Sequence, residues 1–247
     1  MHQHCLNCQK PVHGKYCANC GQKANVERLN WASLGHEIFH FFTHVEKGFL
    51  KTTGLLFFQP GKLYKEYLEG KRKTYHKPVS FLLIWITVFI LLFTLAGKIT
   101  HYEAANTSTL LTNDTATSAI IAKYRSIIEI LILPFTAFIT WLFVGRPRLN
   151  YVEILSITFY SISFLFVLLS LQFVIALLFG INFKTNVFDI ATLVVFLCWG
   201  IYCGYDFFRR YTIPLMIPRL LLSLIVNALL YIYLEKLIVK GIMYLHA

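Results

Sequence analysis

The sequence has few charged residues for its length. They make up 14% of its 247 residues, whereas 57% are hydrophobic. A soluble domain is typically about half apolar and about a quarter charged. Acidic residues are the scarcest class, with 12 Asp and Glu against 23 Lys and Arg, and the formal net charge is +11. This shortage of charge excludes an ordinary soluble domain and indicates a protein with several membrane spans.

Several features of other protein classes are missing. The start, "MHQHCLNCQK", lacks the apolar core of a signal peptide, so we expect the first span to direct insertion. The sequence also contains no nucleotide-binding loop, no visible inverted repeat and no row of charges across an apolar run, which argues against an active pump. Its basic residues flank apolar runs, where they set topology and meet anionic lipid headgroups, so we expect no nucleic-acid partner.

Five apolar runs have the length of about 20 residues that a spanning helix needs. The second run contains Glu129 and Pro134 and is the weakest of the five. The alternatives to five spans are that one run is re-entrant or that a marginal run has been miscounted. We predict an all-α membrane protein with a five-helix transmembrane domain over residues 78–247. Its spans cover about 78–97, 126–145, 153–180, 187–208 and 217–239.

The basic residues also predict an orientation. If residues 1–77 are cytoplasmic, seventeen Lys and Arg lie on the cytoplasmic side and six on the opposite side. Short loops that face the cytoplasm carry an excess of Lys and Arg. We therefore expect a bacterial inner-membrane protein with its N-terminus in the cytoplasm and, after five spans, its C-terminus outside.

Four cysteines near the N-terminus form two CxxC pairs separated by eight residues, namely Cys5, Cys8, Cys17 and Cys20. Four thiolates fill the tetrahedral coordination shell of zinc and leave no open position. Gly21, directly after the second pair, allows a tight turn there. The pattern predicts a zinc ribbon over residues 1–25 with one structural Zn ion. Two disulfides or a redox dithiol are the alternatives; a reducing cytoplasm and the lack of a βαβ pattern argue against them.

A second zinc signal follows the ribbon. His36-Glu37-Ile38-Phe39-His40 matches HExxH, in which two imidazoles on one helix face bind zinc beside a glutamate general base. A zinc-dependent membrane protease that uses His36, Glu37 and His40 is therefore an alternative. Such a site needs a third ligand, and the sequence selects none among the candidates Glu66, Glu69, Glu153 and Asp206. We interpret the match as a coincidence.

Residues 26–77 form an amphipathic, basic juxtamembrane region. Apolar residues three or four apart predict a helix from about Trp31 to Lys47. A second helix starts at Pro60, ends at Gly70 and is predicted to bury Leu63, Tyr64, Tyr67 and Leu68. These helices either lie in the headgroup layer or pack on the bundle as a small cytoplasmic domain. The residues predicted to bind lipid or a partner are Lys62, Lys65, Lys71, Arg72, Lys73 and Lys77.

Two polar residues are predicted to lie inside the membrane. Glu129 is about one turn inside the second run, and Asn227 lies in the middle of the fifth. Ionisable groups at such depth are candidates for function, although a residue near the interface can also reach water. Cys198 and Cys203 are interpreted as small packing residues, and Gly200-x3-Gly204 as a site of close helix packing.

Two stretches carry a resemblance to a known family. They are "YCANCGQ" and "HVEKGFLKTTGLLFFQPGKLYKEYLEGKRKTYHKP", followed by apolar runs in matching order. The chain resembles an uncharacterised family of bacterial multi-pass membrane proteins with an N-terminal zinc ribbon, common in the Bacteroidetes. The resemblance covers nearly the whole chain, and its specific part is residues 5–80. In topology alone the chain is also similar to the Yip1-type five-span proteins. The resemblance implies the architecture and no activity.

The function expected from these features is not enzymatic. We predict a scaffold or partner subunit, or a protein that organises anionic lipids through the ribbon and the basic segment. Its expected partners are membrane lipids and either another protein or a second copy of the chain. A passive transporter of lipids or small solutes is a further alternative.

Overall fold

The computed structural model describes residues 4–40, 48–100, 115–179, 186–209 and 215–246. Within these residues the chain is helical and has no β-strand beyond two isolated bridges near the N-terminus, which confirms the all-α prediction for this part. A π-helical turn, Trp141–Gly145, directly follows the helix that ends at Thr140. The described residues form eight α-helices: Trp31–His40 (α1), Phe49–Phe58 (α2), Pro60–Leu68 (α3), Pro78–Thr100 (α4), Thr115–Thr140 (α5), Tyr151–Phe179 (α6), Asn186–Phe208 (α7) and Met216–His246 (α8).

Among the described residues, four segments are long and apolar enough to cross a membrane, and they indicate a membrane-embedded protein. They are Pro78–Leu95, Ser126–Gly145, Tyr151–Phe179 and Ile217–Met243. These segments match the first, second, third and fifth predicted runs. In the fourth run, α7, the apolar stretch with described side chains is Val194–Phe208, which is shorter than a span. The fifth crossing therefore stays a prediction.

Ring contacts show that α4 and α6 lie side by side and run in the same direction. The ring centroids of Phe81 and Tyr160 are 5.9 Å apart, and those of Phe89 and Phe173, further along both helices, are also 5.9 Å apart. Phe93 extends the row toward Phe173 at 5.6 Å. Stacked and edge-on aromatic pairs of this kind stabilise a packed interface beyond their buried area.

Helices α5 and α8 form a second pair, and they are antiparallel. The Tyr231 hydroxyl donates to Glu129 Oε1 at 2.9 Å in the middle of α5. Asn227 Nδ2, earlier along α8, donates to Thr140 Oγ1 at 3.1 Å at the end of α5. Because the residue numbers rise in opposite directions along the two helices, α8 runs against α5.

Helices α2 and α3 pack against this bundle. Leu56, Leu63, Tyr64 and Tyr67 are buried, and the Trp199 indole of α7 donates to the Leu56 carbonyl at 2.9 Å. Helices α2 and α3 therefore pack on the bundle, and whether they also lie in the headgroup layer stays a prediction. The predicted helix at Pro60 is confirmed, with Leu68 half-buried. Helix α2 was not predicted.

A side chain of α7 fixes the start of α3. Gly61, in the first turn of α3, donates its N–H to Asp206 Oδ2 at 3.0 Å. A carboxylate at this place is favourable because the first N–H groups of a helix lack intrahelical partners and carry partial positive charge. The approach is so close that a Cβ on Gly61 would lie 2.4 Å from Asp206 Oδ2. Asp206 is therefore a structural cap in the described fold.

The start of α6 carries a capping box. Asn150 Oδ1 accepts the Glu153 N–H at 2.8 Å, and Glu153 Oε2 accepts the Asn150 N–H at 2.8 Å. Such reciprocal bonds satisfy two N–H groups that the helix leaves open. Glu153 is also paired with Arg28, whose guanidinium donates to both carboxylate oxygens at 2.6 and 2.7 Å. The linker after the ribbon is thereby attached to the first turn of α6.

Candidate metal centre

The four N-terminal cysteines lie on two backbone turns of the same design. In the first turn the Cys5 N–H donates to Lys10 O and the Gln9 N–H donates to Cys5 O, both at 2.8 Å. Twelve residues on, Cys17 N–H donates to Gln22 O and Gly21 N–H donates to Cys17 O, again at 2.8 Å. Gln9 and Gly21 occupy equivalent positions and have φ values of 61° and 70°. Glycine adopts this conformation at little cost, so the predicted role of Gly21 is confirmed.

The two turns bring the four sulfur atoms into one cluster. All four Sγ atoms lie within 4.8 Å of one another, with Cys5 to Cys20 at 3.6 Å and Cys8 to Cys17 at 3.5 Å. A tetrahedral site with Zn–S bonds of about 2.3 Å has sulfur–sulfur edges of about 3.8 Å. The predicted ligand set is therefore assembled in a geometry that can hold one metal ion.

The peptide environment lowers the proton affinity of one thiol. The hydrogen bond from the Lys10 backbone N–H lowers the pKa of Cys8 to about 6, with contributions from neighbouring thiols. In contrast, burial raises the pKa of Cys20 to about 11. Metal ions bind thiolates, and N–H groups directed at sulfur favour the thiolate form. Of these two thiols, Cys8 is therefore the more acidic.

The ribbon has almost no core of its own. Between residues 4 and 25 its buried side chains are Cys5, Cys17, Gln22 and Ala24, and the other two cysteines are half-buried. A domain of this size cannot bury enough apolar surface to fold alone and needs cross-links or a metal. The same four sulfur atoms leave no open coordination position if all bind one ion. The arrangement can hold the chain together, and it offers no place for a substrate on the metal.

The ribbon is attached to the turn that precedes α4. The buried Gln22 side chain donates to Gly70 O at 2.9 Å and accepts the N–H groups of Arg72 and Lys73 at 3.1 and 3.2 Å. Asn7 Oδ1 accepts the N–H and the hydroxyl of Thr74 at 3.0 and 2.7 Å. Neither the Gln22 contact nor the Asn7 contact was predicted from the sequence. The sequence did contain a signal for these contacts, because a carboxamide residue lies inside the first CxxC pair (Asn7) and another follows the second pair by two residues (Gln22).

The six predicted lipid- or partner-binding side chains differ in their surroundings. Lys62 and Lys73 are exposed, whereas Lys77 is half-buried. Lys65 and Lys71 form ion pairs with Glu69 and Glu66, at 3.6 and 3.1 Å. Arg72 Nη2 donates to Glu27 O at 2.6 Å, so its guanidinium contacts the linker after the ribbon. Their binding role stays a prediction.

A buried tyrosine links the middle of α3 to the following turn. The Tyr75 hydroxyl donates to Glu66 Oε2. Burial, together with this carboxylate, raises the pKa of Tyr75. Burial works against the Glu66 carboxylate, but the Tyr75 hydrogen bond and the Lys71 ammonium outweigh it and lower the pKa of Glu66. Glu66 is therefore a charged, structurally engaged residue.

The HExxH alternative lies largely outside the described residues. His36, Glu37 and His40 fall on the backbone of α1, but their side chains are not among those described, and residues 41–47 are not described. In the described part of the chain, the cysteine cluster is the one group of three or more His, Cys, Asp or Glu side chains whose ligand atoms lie close enough together to hold a metal. Each proposed third ligand has another contact: Glu66 with Tyr75, Glu69 with Lys65, Glu153 with Arg28 and Asp206 with Gly61.

The two predicted intramembrane polar residues both lie at the α5–α8 interface, where each has its own partner. Glu129 is buried and accepts the Tyr231 hydroxyl. Asn227 is half-buried and donates to Thr140, with a longer contact to Ser223 at 3.4 Å. Hydrogen bonds between spanning helices favour their association. Both residues therefore have a packing role in the structure.

The small residues of α7 divide into packed and exposed positions. A Cβ on Gly204 would lie 2.8 Å from Leu220, whereas nothing lies within 4 Å of one on Gly200. Cys203 is buried, as expected of a packing residue, but Cys198 is exposed. Only Gly204 of the small-residue pair thus mediates a close helix contact among the described residues.

The comparisons with known proteins bear on one part of the chain. The family described as "Protein of unknown function (DUF3667)" matches residues 46–90. This stretch contains α2, α3, the turn before α4 and the first half of α4. None of the curated proteins and none of the solved structures matches the chain significantly. The match supports the resemblance to an uncharacterised family over these residues and brings no activity with it.

Proposed function

We propose that the chain is a non-enzymatic protein of the bacterial inner membrane that organises anionic lipids at its cytoplasmic side. A zinc-bound ribbon is a structural part of that side. The observation that carries the proposal is the two-faced character of α2. Leu50 and Phe58 are 83% and 77% exposed, whereas Thr52 and Leu56 of the same helix are fully buried. An apolar stripe beside the exposed Lys51 suits the boundary between headgroups and acyl chains.

The position of α2 along the bundle supports a lipid-facing role. Phe49 of α2 contacts Phe81 and Trp85 of α4, with ring centroids 5.3 and 5.6 Å apart. These residues lie one to two turns after Pro78, which places α2 about 5–10 Å along α4. Exposed apolar side chains at this level meet the bilayer rather than water. Lys51 near the start of α2, and the lysines before α4, can then reach the phosphates.

Zinc is the ion that best suits the cysteine cluster. Four thiolates form a soft donor set that prefers zinc or iron–sulfur species to calcium or magnesium. The two short CxxC turns and the sulfur spacing fit a single tetrahedral ion. In a protein with a cytoplasmic N-terminus, the reducing environment would keep these thiols free for metal.

The helix directions support five spans. Helices α4 and α6 run together, and the short turn between the end of α5 and Tyr151 makes α5 antiparallel to α6. Because α8 also runs against α5, it runs in the same direction as α6. The chain must therefore return across the membrane between α6 and α8. Helix α7, Asn186–Phe208, is about 34 Å long and can make that crossing.

The exposed cations near one end of the bundle support the proposed orientation. Arg146 and Arg148 are exposed in the connection between α5 and α6, and Arg209 is exposed at the end of α7. The ribbon linker reaches the same end through Arg28. Each cation near an anionic surface contributes about 1 kcal/mol. This end would face the cytoplasm under the positive-inside rule and would attract anionic headgroups.

Quenching by brominated lipids tests the lipid proposal, because Trp85 and Trp199 lie beside α2. The full chain is reconstituted with acyl-brominated phosphatidylglycerol or acyl-brominated phosphatidylcholine at equal fractions. We expect phosphatidylglycerol to quench more strongly. The combined variant Lys51→Gln, Lys62→Gln, Lys73→Gln should remove the difference. The control Lys10→Gln, Lys15→Gln, Lys23→Gln removes the same charge from the ribbon and should retain it.

Equal quenching by the two lipids in the unsubstituted chain would contradict the proposal. The difference in quenching between the two lipids could also disappear in the control variant. That result would show that net charge alone attracts the lipid and that α2 provides no organising surface. A protein that co-purifies at one copy per chain would then favour the scaffold alternative.

A further inference from the structure

We propose that the ribbon is a metal-dependent latch on the turn that leads into the first span. With metal bound, Asn7 and Gln22 hold residues 70–74 in one conformation, and loss of the metal releases them. The proposal rests on the zinc site proposed above and not on the lipid-organising role. It assigns the ribbon a target within its own chain.

Each of the two cysteine turns contributes one carboxamide to the same segment. Asn7 lies between Cys5 and Cys8, and Gln22 follows Cys20 by two residues. Gln22 bonds to Gly70, Arg72 and Lys73, while Asn7 bonds to Thr74. The segment is therefore held at both of its ends, and each end depends on a different half of the metal site.

The fit at Gly70 makes the contact specific. Gly70 has a φ of 102°, and a Cβ there would lie 2.9 Å from Leu6 Cδ1 of the first cysteine turn. A larger residue would be strained by its conformation and would also strike the ribbon. The backbone of residues 70–74 thus fits closely against the ribbon and also forms hydrogen bonds with it.

The distance between the two carboxamides depends on the metal. Ala24 is the only buried apolar residue between residues 4 and 25 besides two of the cysteines, so little else fixes one cysteine turn against the other. Without the ion, Asn7 and Gln22 would lie on a flexible chain, and ordering that chain costs conformational entropy at every residue. The bonds to residues 70–74 would then no longer be favourable.

The release should end sharply after Thr74. Tyr75 is buried and bonded to Glu66, and the His76 N–H donates to Thr52 Oγ1 at 3.0 Å. The Tyr160 hydroxyl of α6 donates to the His76 carbonyl. These contacts belong to the packed bundle and do not involve the ribbon. Residues 75 and 76 should therefore remain in place when the metal leaves.

Amide hydrogen exchange of the full chain in detergent micelles tests the latch, with zinc content measured on every sample. In the zinc-bound protein the amides of Arg72, Lys73 and Thr74 should exchange slowly. After removal of zinc with a chelator, they should exchange about two- to tenfold faster, the factor to which the usual net strength of a hydrogen bond corresponds. The His76 amide should not change.

Substitution of Gln22 separates the latch from the metal. Gln22→Ala should keep one zinc and accelerate exchange mainly at Lys73, because the Arg72 N–H also donates to Gly70 O at 2.9 Å within the turn. The matched control is Lys10→Ala, since Lys10 is the exposed residue at the same position of the first cysteine turn. It should change neither amide. Gln22→Glu keeps the acceptor for both N–H groups and should restore their protection.

Three results would overturn the proposal. One is continued protection of residues 70–74 after zinc is removed, and another is unchanged exchange in Gln22→Ala with zinc retained. The third is equal acceleration at His76, which would make the ribbon a general stabiliser of the bundle. If Gln22→Ala loses zinc, Asn7→Ala replaces it as the test. That variant should keep zinc and accelerate exchange at the Thr74 amide alone. A chain that binds no zinc at all refutes the zinc site itself.

Discussion

The ribbon, residues 4–25, and the packed juxtamembrane unit, helices α2 (Phe49–Phe58) and α3 (Pro60–Leu68), lie near each other but are expected to be held by different forces. In the ribbon the buried side chains are mainly cysteines. The juxtamembrane unit instead buries Leu56, Leu63, Tyr64 and Tyr67 against α6 and α7. We therefore expect one region to depend on coordination bonds and the other on apolar burial. The two should respond to different perturbations, and four changes test that expectation.

The largest effect is expected at the metal ligands. Cys17→Ser should lower the zinc content from one ion per chain to nearly none and unfold residues 4–25, because metal binding of about 10–16 kcal/mol supplies the folding free energy of such modules. Elemental analysis and hydrogen exchange measure the two effects. Cys198→Ser, at an exposed cysteine in α7, is the control and should keep the zinc. A second zinc ion that His40→Ala removes would revive the protease alternative.

A large effect on the juxtamembrane unit is expected at Tyr64. This residue is fully buried, stacks on Tyr160 with ring centroids 6.0 Å apart and bonds to Ser161 at 3.1 Å. Tyr64→Ala should reduce the free energy of unfolding by about 3–5 kcal/mol, the usual cost of removing a buried aromatic ring. Thermal unfolding in detergent measures it.

Tyr16→Ala is the control for Tyr64→Ala, because Tyr16 lies in the ribbon and is 59% exposed. It should change the free energy of unfolding by no more than about 0.5 kcal/mol. The zinc content should be the same in both variants. A loss of zinc in Tyr64→Ala would show that the two regions are not independently held.

A medium effect is expected from one methyl group at the start of α3. Gly61→Ala would place a Cβ 2.4 Å from Asp206 Oδ2 and 2.7 Å from its backbone carbon. Separating α3 from α7 should cost about 1–3 kcal/mol. Gly54→Ala in α2 is the matched control, since nothing lies within 4 Å of its added Cβ. It should be neutral or stabilise by up to about 1 kcal/mol through helix propensity. Equal melting temperatures for the two variants would contradict the close α3–α7 contact.

The smallest effect is expected from pH. Because the pKa of Glu66 is lowered in the folded protein, its charged form stabilises the fold above the ordinary value of 4.5, and this stabilisation is lost as the pH falls below it. Melting temperatures at pH 6 and pH 4 should therefore differ less in Glu66→Gln than in the unsubstituted chain. Glu69→Gln removes an exposed carboxylate and serves as the control. An unchanged pH dependence in Glu66→Gln would exclude the Glu66–Tyr75–Lys71 cluster as its source.

The cysteine cluster and most of the helices could be predicted because their signals are local. The CxxC spacing identifies Cys5, Cys8, Cys17 and Cys20, and apolar length identifies α4, α5, α6 and α8. Pro60 marks the start of α3 in the same local way. Each signal lies within one turn or one helix, so no knowledge of the rest of the chain is needed.

Contacts between distant residues could not be predicted. The stretch "FLKTTGLLFF" contains Lys, two Thr and Gly, so it does not read as an amphipathic helix. Its C-terminal carbonyls are satisfied by Trp199 and Tyr202, more than 140 residues away. The Arg28–Glu153 pair and the Gln22 contacts are of the same kind. The Asn150-x-x-Glu153 capping box, however, was readable in the sequence and identifies Glu153 as a structural residue.

The most direct test of the contrast between the two regions is tryptophan fluorescence during thermal unfolding, with and without a zinc chelator. All four tryptophans, Trp31, Trp85, Trp141 and Trp199, lie outside the ribbon, and Trp85 and Trp199 contact α2. If coordination holds the ribbon and apolar packing holds the juxtamembrane unit, removal of zinc should shift the midpoint by less than about 2 °C, which corresponds to under about 1 kcal/mol for a chain of this size. A midpoint lowered by about 10 °C or more would show that the metal also holds the membrane-embedded fold, and would contradict the account.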